Sequence, residues 1–262
     1  MTTLNTSVIF CLIMSVPETD PIKDIIEGDF SQRIHAISSD VCSFNAALQK
    51  AEAWRSTGNF VIYKAGTYDI LTLNHILGLV QFRTLGAMAL LGIESAETDR
   101  EQLLVHEVAA SDNIKLMVTL DTNRGMAGDK SYRPEKGGSP KPTLDWYSRA
   151  MMLAAQSIPL PGYEGRRSAV DYITRHGPDC CDACEGNACT NENNELMAVG
   201  LKPDLVVITE SQQALGKLEE YKEQGLLPNT QISVVIEDEN QYLDPVLGGP
   251  IKTTAIVNRM RS

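Results

Sequence analysis

The chain has few basic residues for its size. Its 262 residues hold 23 Lys and Arg against 34 Asp and Glu, a net charge of −11. Binding along a nucleic-acid backbone needs clustered cations to neutralise phosphate. This balance therefore argues against a general nucleic-acid surface. The modest basic clusters are Arg166-Arg167 and the stretch 130–141, which also carries Glu135. Long hydrophobic runs are lacking too. The most apolar run near the start, residues 8–16, falls short of the ~18 residues that a membrane span needs. No basic region precedes it, since the first basic residue is Lys23, and no small-residue cleavage site follows. The expectation is cytoplasmic synthesis, no membrane span and thiols kept reduced.

Familiar catalytic signatures are also missing. There is no G-x-x-x-x-G-K-[ST] phosphate loop, and no G-x-G-x-x-G follows the first expected strand, where Pro17-Glu18-Thr19-Asp20 stands instead. Neither G-x-S-x-G nor H-E-x-x-H occurs. His35, His75, His106 and His176 share no metal-ligand spacing. The common α/β nucleotide and hydrolase chemistries thus have no local motif, and no internal repeat is present.

What is present is ordinary globular composition, 43% hydrophobic and 22% charged. Short apolar runs rich in β-branched residues predict buried strands at 7–16, 60–63, 114–120, 204–209 and 232–236, with a last strand at 252–258. Residues 68–73 read as a hairpin partner for 60–63 across a turn at Gly66. Between the strands, 3.6-residue periodicity predicts helices. Phe44, Ala47, Leu48, Ala51 and Trp54 form one stripe within 43–56. Further helices are expected at 22–30, 75–93, 97–108, 144–157 and 211–224, and a short one at 168–174. Strands alternating with helices give an α/β fold: a mostly parallel central sheet flanked by helices as a three-layer sandwich. We read residues 1–262 as a single α/β domain. It subdivides into 1–121, a long loop 122–143, and 144–262 with a Cys-rich insertion at 176–195. The loop carries four glycines and three prolines, and such a run inside a compact domain is usually functional or held by a partner.

Chemistry concentrates at His176-Gly-Pro-Asp-Cys180-Cys181-Asp-Ala-Cys184-Glu-Gly-Asn-Ala-Cys189, which holds four of the six cysteines. Zinc takes four thiolate or imidazole ligands. Cys181-x2-Cys184 is a good half-site, and Cys189 with Cys180 or His176 could complete it. The spacing is more compact than most structural zinc sites, and it does not match an iron–sulfur run. Asp179, Asp182 and Glu185 raise thiol pKa values unless a metal offsets them. Disulfides among these cysteines, Cys11 and Cys42 are the other reading, as on a virion or cell surface. A Cys–His thiol centre, Cys180 with His176 or His106, lacks an orienting third residue. Strand ends are a further candidate site. They supply Asp121, Thr122 and Asn123, then Glu210 and Ser211, then Glu237, Asp238 and Glu239, where open α/β sheets bind ligands.

Two functional readings follow. The first is a non-enzymatic subunit of a large assembly, such as a phage tail, neck or other virion component, associating with itself or with other protein subunits. The second is a metal-binding (zinc or iron–sulfur) or thiol-dependent α/β enzyme, with zinc as the cofactor candidate. They separate by experiment. If the cysteine segment holds a metal, native mass spectrometry finds one ion per chain, and Cys181→Ala with Cys184→Ala removes it. Stoichiometric metal in the double variant would sink the site.

Overall fold

The computed structural model describes residues 44–123, 143–158, 167–176, 194–209, 214–235, 243–244 and 249–250. The expected strands at 7–16 and 252–258, the helix at 22–30, most of the Gly/Pro loop and the cysteines lie outside these residues.

The apolar runs Phe60–Gly66 (β1) and Ile114–Asp121 (β2) pair in parallel, from Phe60 with Ile114 to Gly66 with Leu120. Tyr172–His176 (β5) lies parallel beside β2. On the other side of β1 come Leu205–Thr209 (β6) and Gln231–Val235 (β7), also parallel. The sheet order is β5-β2-β1-β6-β7. Small antiparallel pairs join Ser157–Ile158 (β3) to Arg167–Ser168 (β4), and Leu243–Asp244 (β8) to Gly249–Pro250 (β9). This is the α/β fold that the sequence predicts, with all five central strands parallel.

The helices divide between the two faces. On one, Leu73–Leu91 (α2) and Trp146–Ala154 (α4) bring Leu79, Phe82, Trp146, Ala150 and Leu153 against Ile62, Leu116, Val118, Leu120 and Ile173. On the other, Phe44–Ser56 (α1), Asn194–Leu201 (α5) and Leu215–Glu223 (α6) bring Ala47, Ala51, Trp54, Met197 and Leu218 against Val61, Tyr63, Met117, Val206 and Ile208. Each fully buried Val, Leu, Ile or Met side chain among them contributes about 1.5–3 kcal/mol by leaving water. Asp99–Ala110 (α3) packs beside α2 through Ala87, Val105 and Ala109. Gly86 lets α2 sit closely on β1, because a Cβ there would overlap the Ile62 side chain.

Two local expectations are corrected. Residues 68–73 do not pair with β1: both of its edges are taken by the parallel strands β2 and β6. Those residues instead carry the chain into α2. Residues 168–174 are not a helix. Tyr172, Ile173 and Thr174 belong to β5, where Ile173 and Thr174 are buried against β2.

Parallel strands leave unpaired N–H groups at their amino ends, and two aspartates supply acceptors there. Asp171 Oδ2 accepts from the Leu116 N–H at 2.7 Å, and Asp204 Oδ2 accepts from the Val61 N–H at 2.7 Å. Asp171 also pairs with the fully buried Arg83 at 2.6 Å. The Arg83 guanidinium donates further to the Ala109 and Ile114 carbonyls, at 2.9 and 3.0 Å. Removing one member of a buried pair leaves an uncompensated charge. Asp171→Ala is therefore expected to destabilise the fold by about 3–5 kcal/mol in urea titrations, and Asp171→Asn, which keeps a carbonyl acceptor, by less. Equal losses in both would remove the ion pair from this account.

Candidate functional site

The chain order sets where a ligand can enter. From β1 the connections run through α2 and α3 to β2, then through α4 to β5, always on one face. The chain then crosses to β6 on the far side of β1, and α5 and α6 cover the opposite face. Connections leaving the carboxyl ends of β1 and β6 therefore diverge to opposite faces. In open parallel sheets that divergence opens a crevice, and ligands bind in it.

The β1 connection is tightly built. At Gly66 a side chain would collide with the Tyr68 ring. Tyr68 has φ +44, unusual for a non-glycine residue, and is buried, which pushes its phenol pKa well above the ordinary value. The Tyr68 ring lies 5.4 Å from the His75 ring. Thr72 is the N-cap of α2. Its backbone N–H donates to His75 Nδ1 at 3.1 Å, and its hydroxyl lies 3.0 Å from the same nitrogen. With Nδ1 accepting, the proton of the neutral imidazole belongs on Nε2, which makes that atom a donor. Asn74, also in this first turn, has a buried Oδ1 with no hydrogen-bond partner. The first turn of the 19-residue α2 thus brings backbone N–H groups, the positive end of the helix dipole and an imidazole donor to the carboxyl edge of β1.

Basic side chains gather on that same face and edge. Lys64 is buried on β1, its Nζ 5.6 Å from the Phe82 ring centroid. Arg149 is fully buried on α4. Its guanidinium donates to the carbonyls of Thr67 and Asp121, each at 2.7 Å, to Leu144 O at 3.2 Å and to Asn123 Oδ1 at 3.1 Å. Burial pulls its pKa below the usual arginine value, and Asp69, Asp121 and Asp145 push back. Asp69, itself buried, accepts from the N–H groups of Thr143 and Leu144 at 2.8 and 3.0 Å. Both flanks of the Gly/Pro stretch are therefore tied to this edge. Arg175, near the end of β5, lies over Trp146 at 4.3 Å.

Of the strand-end candidates, Asp121 and Asn123 serve Arg149, and Thr122 is buried. Glu210, Ser211 and residues 237–239 lie outside the described residues. So do Cys180, Cys181, Cys184 and Cys189. His176 is the last residue of β5, in register with Asp121. Among the described residues no cluster of His, Cys, Asp or Glu could hold a metal, and no helix is long and apolar enough to cross a membrane. Residues 64–75, Arg149 and Arg175 were not among the site candidates read from the sequence. The available signal was a glycine ending a strand, a short polar turn and a helix with histidine in its first turn.

No family model and no curated protein matches the chain. Among solved structures, the lipopolysaccharide core biosynthesis protein from Thermoplasma volcanium GSS1 aligns at 15% identity, over 68% of this chain and 96% of its own, with a TM-score of 0.37.

The α4 end of the site yields a pH-dependent expectation. Asp145 caps α4, accepting from the Ser148 N–H at 2.9 Å and its hydroxyl at 2.8 Å. These bonds, the backbone one first, hold its carboxyl below the usual range. The cap therefore contributes fully above about pH 4 and is lost as pH falls through the depressed folded value. Asp145→Ala should cost about 1 kcal/mol at neutral pH, and the gap from the parent should close in strong acid. A gap that persists unchanged at pH 2 would assign the loss to something other than the carboxylate.

Proposed function

We propose that this chain is an α/β enzyme that binds a nucleoside phosphate at the carboxyl edge of β1 and carries out substitution at phosphorus. One observation carries the reading. The start of α2, with Thr72, Asn74 and His75, stands at the point where the chain reverses across the sheet, and Lys64, Arg149 and Arg175 share its face. A helix N-terminus in that position favours phosphate through its N–H groups and dipole.

The residue types fit this chemistry better than acyl transfer or hydrolysis by a protein nucleophile. No serine or cysteine with a paired base appears among the described edge residues. Substitution at phosphorus asks for positioning and for charge stabilisation, with little covalent chemistry from the protein. In such a step an acceptor oxyanion forms a new P–O bond while the bond to the leaving phosphate breaks. Negative charge then accumulates on the leaving oxygens. The α2 N–H groups and the imidazole donor of His75 are suited to receive it.

The assembly-subunit reading uses other parts of the chain, the stretch 122–143 and the cysteines, so the two readings are separable. Calorimetric titration of the full chain with ATP and CTP tests the present one. A triphosphate is expected to bind at least tenfold more tightly than its nucleoside, and His75→Ala to remove most of that difference. Failure of either nucleotide to bind at millimolar concentration would overturn it.

A further inference from the structure

We infer that Arg175 docks an oxyanion, the phosphate or carboxylate of a second ligand; calling that ligand the acceptor rests on the function proposed above. Arg175 is the penultimate residue of β5, on the same face as Ile173. Its guanidinium carbon lies 4.3 Å from the centroid of the Trp146 ring. The indole is a fixed platform: it is buried, and its Nε1 donates to the Leu120 carbonyl at 3.3 Å. Arg175 Nε is buried with no hydrogen-bond partner. Among the described residues the side chain makes no hydrogen bond or ion pair at all.

The contrast with the two fully buried arginines is informative. Arg83 and Arg149 commit their donors to carbonyls and side-chain oxygens. An unpaired buried donor costs about 1–3 kcal/mol, more when charged, so Arg175 is held in a state that a ligand would relieve. The Trp146 ring covers the guanidinium from one side, and a guanidinium on an aromatic face keeps its in-plane N–H groups available at its edge. That fork matches two oxygens of a carboxylate or phosphate. The register Leu120 with Arg175 puts this group on the strand two away from β1. Two strand spacings are about 10 Å, so this anchor and the carboxyl end of β1 lie on one edge with room for two ligand groups. An acceptor anion on Arg175 beside a nucleotide at α2 fits that arrangement.

Trp146 reports on this contact. The chain has two tryptophans, so Trp54→Phe leaves Trp146 as the only indole. In that background, inorganic phosphate and acetate are titrated separately while Trp146 emission is followed. A saturable change with phosphate, acetate or both is expected, and which anion binds more tightly distinguishes the two sources of oxyanion. Arg175→Gln should weaken it tenfold or more, and Arg175→Lys, which keeps the charge but loses the two-pronged donor, should recover only part of it. If the Trp54 variant is poorly folded, calorimetry of phosphate and acetate binding to the otherwise natural chain and to Arg175→Gln gives the same comparison. Unchanged titration in Arg175→Gln or no saturation in the parent would overturn the assignment. Anion binding at Arg175 without nucleotide binding would sink the proposed function and leave this site standing.

Discussion

Arg149 holds the carboxyl edge of the sheet together. Its guanidinium sits fully buried and reaches the turn after β1, the end of β2, Asn123 and the start of its own helix. Those backbone groups converge on one cation because parallel strands end in unpaired carbonyls on this side, and carbonyls need donors. The amino edge shows the complementary solution. There the unpaired groups are N–H, and the carboxylates of Asp171 and Asp204 accept from them. The polarity of the parallel sheet thus sets carboxylate acceptors against N–H groups at one edge and guanidinium donors against carbonyls at the other.

That sorting matters in a chain of net charge −11. The average charge argues against a broad anionic partner, but it does not describe a single edge. Lys64, Arg149 and Arg175 come from three separate elements and meet on one face, together with the positive end of α2. Two of these cations rest against aromatic rings, Lys64 against Phe82 and Arg175 against Trp146. Low-dielectric surroundings strengthen their attraction for an anion relative to water.

The architecture was legible in the sequence wherever a segment was buried on its own terms. The runs at 60–63, 114–120 and 204–209 are continuous and β-branched because both faces of a parallel strand are covered, whereas the run at 232–236 falls on the edge strand β7, where Val234 is exposed. The stripe through Ala47, Ala51 and Trp54 read correctly because one helix face meets the sheet. The two misreadings share a cause. Residues 68–73 have strand-like composition, but Tyr68 is fixed at positive φ by packing and no strand edge is open to them. Residues 172–174 are too short to show a period, and only β2 makes them a strand.

By itself the sequence determined four of the five central strands and most of the described helices, and hence the α/β class, since hydrophobic periodicity is a local property of the chain. It also located the cysteine cluster and the Gly/Pro stretch, which are matters of composition. Only the tertiary structure decided the strand order β5-β2-β1-β6-β7, and with it the place where the connections diverge. It alone brought Lys64, His75, Arg149 and Arg175 to one edge across more than a hundred residues of chain. Charge, donors and burial at a site are set by neighbours in space, and no spacing along the sequence encodes them.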